Sequence, residues 1–126
     1  MKSAINLNEV PQCGFIAFLE NDIIRIFFSF TPQAPRENEE SNNTYDCRNV
    51  DVSDRNYAGI VEAIISDIYP VSKQYAILAN KALADDIQNE LTPEKRAEYI
   101  EEYRVFQEYR TTAKALASDI ISNLCL

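Results

Sequence analysis

The stretch Tyr57-Ala58-Gly59-Ile60-Val61-Glu62-Ala63-Ile64-Ile65-Ser66-Asp67-Ile68 decides the fold. Its apolar residues Tyr57, Ile60, Val61, Ile64, Ile65 and Ile68 step by i, i+3, i+4, i+7, i+8 and i+11. That spacing is one continuous stripe along an α-helix. Glu62, Ser66 and Asp67 fall elsewhere on the wheel. Ser53 or Asp54 can cap its start. Pro70 ends it near Tyr69, because the residue before a proline is pushed out of the α region. A helix with a single apolar stripe needs an apolar surface to lie on.

That surface is written upstream. Cys13–Glu20, CGFIAFLE, places Phe15, Ala17 and Leu19 on one face of a strand and Ile16 and Phe18 on the other. Asn21-Asp22 follows, and both residues tolerate the positive φ of a tight turn. Ile23–Phe30, IIRIFFSF, alternates Ile24, Ile26 and Phe28 against Ile23, Arg25, Phe27 and Ser29, and reads as the return strand of a β-hairpin. Residues 1–12 read as an extended lead-in broken at Pro11. Residues 31–44, TPQAPRENEESNNT, carry Pro32, Pro35 and a charged run from Arg36 to Glu40, and predict a mobile loop. Residues 45–52, YDCRNVDV, read as a third, less apolar strand at the sheet edge.

Downstream of Pro70, Ser72 can cap a second helix through about Asn80, with Tyr75, Leu78 and Ala79 as its apolar stripe. Asn80 can close it in the left-handed conformation, with one further helical turn within residues 81–91. Thr92-Pro93-Glu94 is a helix start with a capping hydroxyl, proline at the first position and an acid in the first turn. The third helix can run to about Asn123, nearly 50 Å at 1.5 Å per residue. The chain therefore predicts a single α+β domain over residues 1–126. A strand-rich part over 1–52 is built as an N-terminal β-hairpin or small antiparallel sheet. A helical part over 53–126 has two short helices and one long C-terminal helix.

The composition narrows function by exclusion. With no histidine among 126 residues, neither a Cys-His nor a Ser-His-Asp arrangement can exist within one chain. The two glycines, Gly14 and Gly59, do not form a phosphate-cradling loop. Cys13, Cys47 and Cys125 are widely spaced and show no CxxC, so no zinc site is expected. Cys13 and Cys47 could face each other on neighbouring strands, but reduced, buried thiols are the expected state. Glu94, Glu98, Glu101 and Glu102 read as a solvated helix face, and Asp85-Asp86 lacks the ligand ladder and glycine of a calcium loop. The reading assigns no catalytic residue, no cofactor and no metal. The net charge of −8 is even: eight acids and four bases in residues 1–52, twelve acids and eight bases in residues 53–126. Without a basic patch, neither nucleic acid nor an anionic membrane is an expected partner. No apolar run approaches the ~20 residues of a membrane span.

What remains is protein–protein contact. The long helix carries a stripe of Tyr99, Tyr103, Phe106, Tyr109 and Arg110, residue types enriched at interfaces. A helix that long exceeds the reach of a small hairpin, so part of it is expected to pack on another chain or, antiparallel, on the Tyr57–Ile68 helix, with the stripe buried partly between chains, as a homo-oligomer.

The segment Tyr57-x-x-Ile60-Val61-x-Ala63-Ile64-Ile65, followed by Tyr69, Ser72, Ala76-Ile77 and Asn80, resembles a module of small proteins from tailed bacteriophages of gut Bacteroidales, including crAss-like phages. The later helix from Tyr99 to Lys114 is similar to the same module, so the resemblance spans residues 45–120. Pro70-Val71 ahead of Ser72 departs from it and bears on the angle between helices. The resemblance implies a non-enzymatic virion structural protein: a head fibre, a head decoration or a tail adaptor. It implies self-assembly and docking on other virion proteins, in a virion assembled in the bacterial host cytoplasm. The alternative class is a small cytosolic acidic adaptor or regulator that binds a host protein.

Overall fold

A computed structural model of the chain describes residues 1–34 and 43–125. Four strands come first: β1 (Lys2–Asn6), β2 (Phe15–Glu20), β3 (Ile23–Pro32) and β4 (Thr44–Val52). Three helices follow: α1 (Tyr57–Ile68), α2 (Val71–Asp85) and α3 (Pro93–Leu124). The fold is α+β, an antiparallel sheet of order β1-β4-β3-β2 with helices layered on it.

The hairpin of β2 and β3 forms where the alternation places it. Its turn uses Asn21 at φ 55°, the left-handed conformation that asparagine accepts most readily among non-glycine residues. Two expectations change. β4 is not an edge strand; it lies between β3 and β1. The extended lead-in is itself a strand, with Lys2↔Arg48 and Asn6↔Thr44 at the two ends of its register on β4. The short polar run KSAIN gave no apolar alternation, because this edge strand is held by backbone pairing. The loop expected over residues 31–44 is shorter at both ends: Thr31 and Pro32 belong to β3 and Thr44 to β4. Its middle, residues 35–42, lies outside the described residues.

A β-bulge separates the two halves of the β3–β4 ladder. The register runs from Phe28↔Arg48 to Thr31↔Asp46, three residues on one strand against two on the other, and Ser29 takes the extra place at φ 58°.

One sheet face meets the helices. Phe15, Ile24, Ile26, Phe28 and Val52 are each at most 4% exposed. Against them lie Ile60, Ile64 and Ile65 of α1 and Phe106, Ala113, Ala117 and Ile120 of α3. The two buried alanines, one turn apart, let the α3 backbone come close to the sheet. α1 lies over β4 and α3 over β2, while α2 packs along α3 rather than on the strands.

The cap of α1 is Asn56, not Ser53 or Asp54: its side chain accepts from the Gly59 N–H at 2.7 Å. α1 ends at Tyr69, ahead of Pro70, as the sequence requires. α2 runs on to Asp85, beyond Asn80, and has no side-chain N-cap. Thr92 caps α3 by accepting from the Lys95 N–H at 3.1 Å.

The thiols are not uniformly buried. Cys47 is buried, Cys13 and Cys125 are exposed, and all three are free. β3 lies between the strand carrying Cys47 and the one Cys13 precedes, so the two do not face each other.

Candidate interaction surface

The five residues of the α3 stripe have different fates. Phe106 is 2% exposed and belongs to the chain's own core, its ring 4.9 Å from that of Tyr69. Tyr109 is half-buried; its ring lies 5.5 Å from Tyr69 and its hydroxyl donates to the Ile64 carbonyl at 3.3 Å. Burial raises its phenol above the ordinary range, partly opposed by the Arg48 guanidinium. These two aromatics seal α1 against α3, so Phe106 and much of Tyr109 are covered within the chain. Tyr99 and Tyr103 are half-buried beneath lysines, with Lys95 Nζ 5.1 Å and Lys81 Nζ 5.0 Å from their ring centres. Arg110 donates to Gln107 at 3.0 Å and borders a groove with Tyr57, Val61, Ile65 and Gln74. The excess length of α3 is covered by α2, a role the sequence reading did not give that helix.

A polar junction ties α1 to the sheet. Asp67, on the last turn of α1, has a side chain only 5% exposed and pairs with Arg48 of β4 and with the Met1 ammonium. Arg48 also donates to the Asp67 carbonyl at 3.4 Å. Every heteroatom pair here serves the fold, since a buried carboxylate needs a partner to stay charged.

A second polar junction closes the α2–α3 turn. Arg96 donates to the Ala84 carbonyl, to the Asp86 carbonyl at 3.1 Å and to Asn89 Oδ1 at 3.0 Å. These bonds take up carbonyls that the last turn of α2 leaves without helical partners.

An open groove of about 350 Å³ lies where α3 meets the start of β2 and the bulge. Cys13, Ser29, Tyr109, Thr112 and Asp119 reach it among apolar walls. Cys13 Sγ donates to the Phe15 carbonyl at 3.2 Å. Among the described residues, no three His, Cys, Asp or Glu side chains gather as a metal site. Among the same residues, no helix is long and apolar enough to cross a membrane.

The remaining feature is the outward side of α2. Ile77 and Ala84, seven residues apart, are its buried residues. At 100° per residue, Lys73, Gln74, Asn80 and Lys81 fall on either side of that buried line. Three of the four are engaged there. Lys73 lies over Tyr69 at 5.0 Å, Gln74 donates to the Tyr69 carbonyl at 2.7 Å, and Lys81 pairs with Asp85 at 2.6 Å. The opposite side carries Val71, Tyr75, Ala76, Leu78, Ala79, Ala82 and Leu83, all exposed, with Ser72 among them and Asp85 at the border beside Leu78. Tyr75 is 69% exposed, and Ile87, just beyond the helix, is 89% exposed. The Tyr75-Leu78-Ala79 stripe was legible in the sequence; its orientation toward solvent was not.

The outer sheet face offers less. Phe18 and Phe27 stack there at 6.3 Å, but Arg25 on the same face is held by Glu20 and Asp51 at 2.9 Å each.

No family model, no curated protein and no solved structure matches this chain.

Proposed function

We propose that this chain is a non-enzymatic assembly protein of a tailed-phage virion, a head fibre, head decoration or tail adaptor, that acts by binding other proteins. The observation that supports the reading is the solvent-facing side of α2, an apolar surface on a helix whose Gln74, Asn80 and Lys81 are turned inward. Four large side chains there, Val71, Tyr75, Leu78 and Leu83, are between 45% and 69% exposed. With the three alanines between them they make a patch on the order of 600 Å², the upper end of what soluble monomers present to water. Patches of that size mark binding surfaces. The chain's charge of −8 keeps such a protein in solution until its partner arrives.

The test is peptide mass spectrometry on purified particles made by the genome that encodes the chain. Its presence in fixed proportion to the major capsid or tail protein is the expected result. Its recovery only from the soluble fraction of the host cell sinks the virion reading and favours the acidic adaptor class.

A further inference from the structure

We propose that the outward face of α2 is the contact between two copies of this chain, an antiparallel α2–α2 pair about a two-fold axis. The inference rests on the assembly reading above and names the first partner in it.

The residue spacing carries the geometry. Val71, Tyr75, Leu78 and Ala82 step by four, three and four, the seam spacing of two packed helices. A two-fold axis between Tyr75 and Leu78 sets Tyr75 of one copy against Leu78 of the other. The same axis sets Val71 against Ala82. Each larger residue then meets a smaller one, and the surface is complementary to itself, as an isologous interface requires. Ala79 on one side of the seam and the seam's own Ala82 let the two backbones approach.

Charge selects a second copy over other occupants. The four seam residues carry no charge, and Asp85, the next step along the seam, is already paired with Lys81, so pairing the four with themselves buries no unpaired charge. α2 as a whole has two lysines and one aspartate, a net +1 in a chain of −8. It is therefore a face on which two acidic copies meet without adding to their mutual repulsion. A basic partner drawn by the acidic surface would find nothing here to pair with. An anionic lipid surface is disfavoured, because Lys73 and Lys81 lie over tyrosine rings on the inward side instead of flanking the apolar face. The area is sufficient as well. A patch on the order of 600 Å² plus its rim approaches the ~800 Å² per partner of an ordinary specific interface.

Sedimentation equilibrium on the purified full chain tests this, with concentration-dependent hydrogen exchange on the wild type as the second measurement. A monomer–dimer equilibrium is expected. Leu78→Glu, and independently the milder Tyr75→Ser, are expected to weaken it about 30-fold or more, as loss of a central contact does. Ile100→Glu, on the exposed side of α3, is expected to leave it intact. In the wild type, amide protection that grows with concentration is expected over residues 71–82. A chain that stays monomeric at about 100 µM, the concentration at which a specific dimer is expected to be populated, overturns the proposal. So does a dimer that survives both α2 variants, or one whose added protection falls on α3 or the sheet. The exchange measurement needs no substitution, so a variant that failed to fold would leave it decisive. A monomer found in stoichiometric amounts in virions overturns only the dimer. A dimer absent from virions overturns only the virion reading.

Discussion

α1 and α2 are consecutive helices of similar length, 12 and 15 residues, and they turn their apolar residues in opposite directions. α1 lays Ile60, Ile64 and Ile65 on the sheet and on α3. α2 gives its own fold a narrow strip, Ile77 and Ala84, and leaves its apolar seam in water. The difference is topological. Pro70 breaks the chain after α1 and sends α2 along α3, beyond the edge of the strand layer. There the available surface is a helix lined with tyrosines and phenylalanine, which lysines can cover with their stems while their charged ends sit over the rings. A helical stripe therefore says that a helix has something to bury. It does not say that the same chain buries it.

The sharpest way to break this contrast is to place one charge on each stripe. Ile64→Asp puts an unpaired carboxylate at a site 1% exposed and is expected to cost more than about 4 kcal/mol, enough to unfold the domain. Tyr75→Asp, at a site 69% exposed, is expected to change stability by less than about 1 kcal/mol under conditions where the chain is monomeric. Glu62→Ala, on the exposed side of α1, is expected to be as mild. Thermal melts read all three. Equal losses for Ile64→Asp and Tyr75→Asp would mean that α2 is not turned outward.

Gly59→Ala is the next largest. Alanine normally stabilises a helix interior relative to glycine, by about 1 kcal/mol. Here a Cβ would stand 2.6 Å from Asp54 Cβ and 2.8 Å from the Asp54 carbonyl oxygen. The clash pushes on the chain that leads into Asn56, the cap whose side chain holds the Gly59 N–H. A net loss of about 1–3 kcal/mol is expected, measured by denaturant unfolding. A gain would show that the entry to α1 yields easily.

The α+β class, the β2–β3 hairpin and the start of α3 were legible because each has a local cause: alternation, a turn pair, and Thr92-Pro93-Glu94. β1 was not legible, because Lys2–Asn6 has no apolar period and is held by backbone pairing to β4. The central place of β4 was hidden for the same reason. Its less apolar residues include Arg48, whose charge is matched by Asp67 from α1, a partner far off in sequence. At the candidate surface, the sequence located the apolar residues of both α2 and α3 but not which way each helix turns them: Phe106 of α3 is buried, and Tyr75 and Leu78 of α2 are exposed. Which of two amphipathic helices covers the other is settled in space, by the reach of Lys73 and Lys81 to Tyr69 and Tyr103.

Arg96→Ala probes how firmly α2 is held in that orientation. The arginine satisfies carbonyls at the end of α2, and its loss is expected to cost about 1–2 kcal/mol. The effect should be local: faster hydrogen exchange in the last turn of α2, with α1 unchanged. Uniform acceleration in both helices would mean that α2 opens only together with the core.

The smallest effect separates the sealed seam from the open one by pH. Tyr109 sits between α1 and α3, half-buried, and burial raises its phenol above the ordinary tyrosine value of about 10. A raised value in the folded chain means that the unfolded chain loses its proton first as pH climbs. The contribution is thus fully present below the ordinary value and is lost as pH rises through it toward the folded value. Tyr109→Phe removes that titration together with the hydrogen bond to the Ile64 carbonyl. The expected result is a loss of up to about 1 kcal/mol near neutral pH, from the missing bond. That loss should shrink in melts recorded between pH 9 and 11, where wild-type stability falls more steeply than the variant's. Parallel profiles across that range would mean that water reaches the phenol, and that the α1–α3 seam is no better sealed than the outward face of α2.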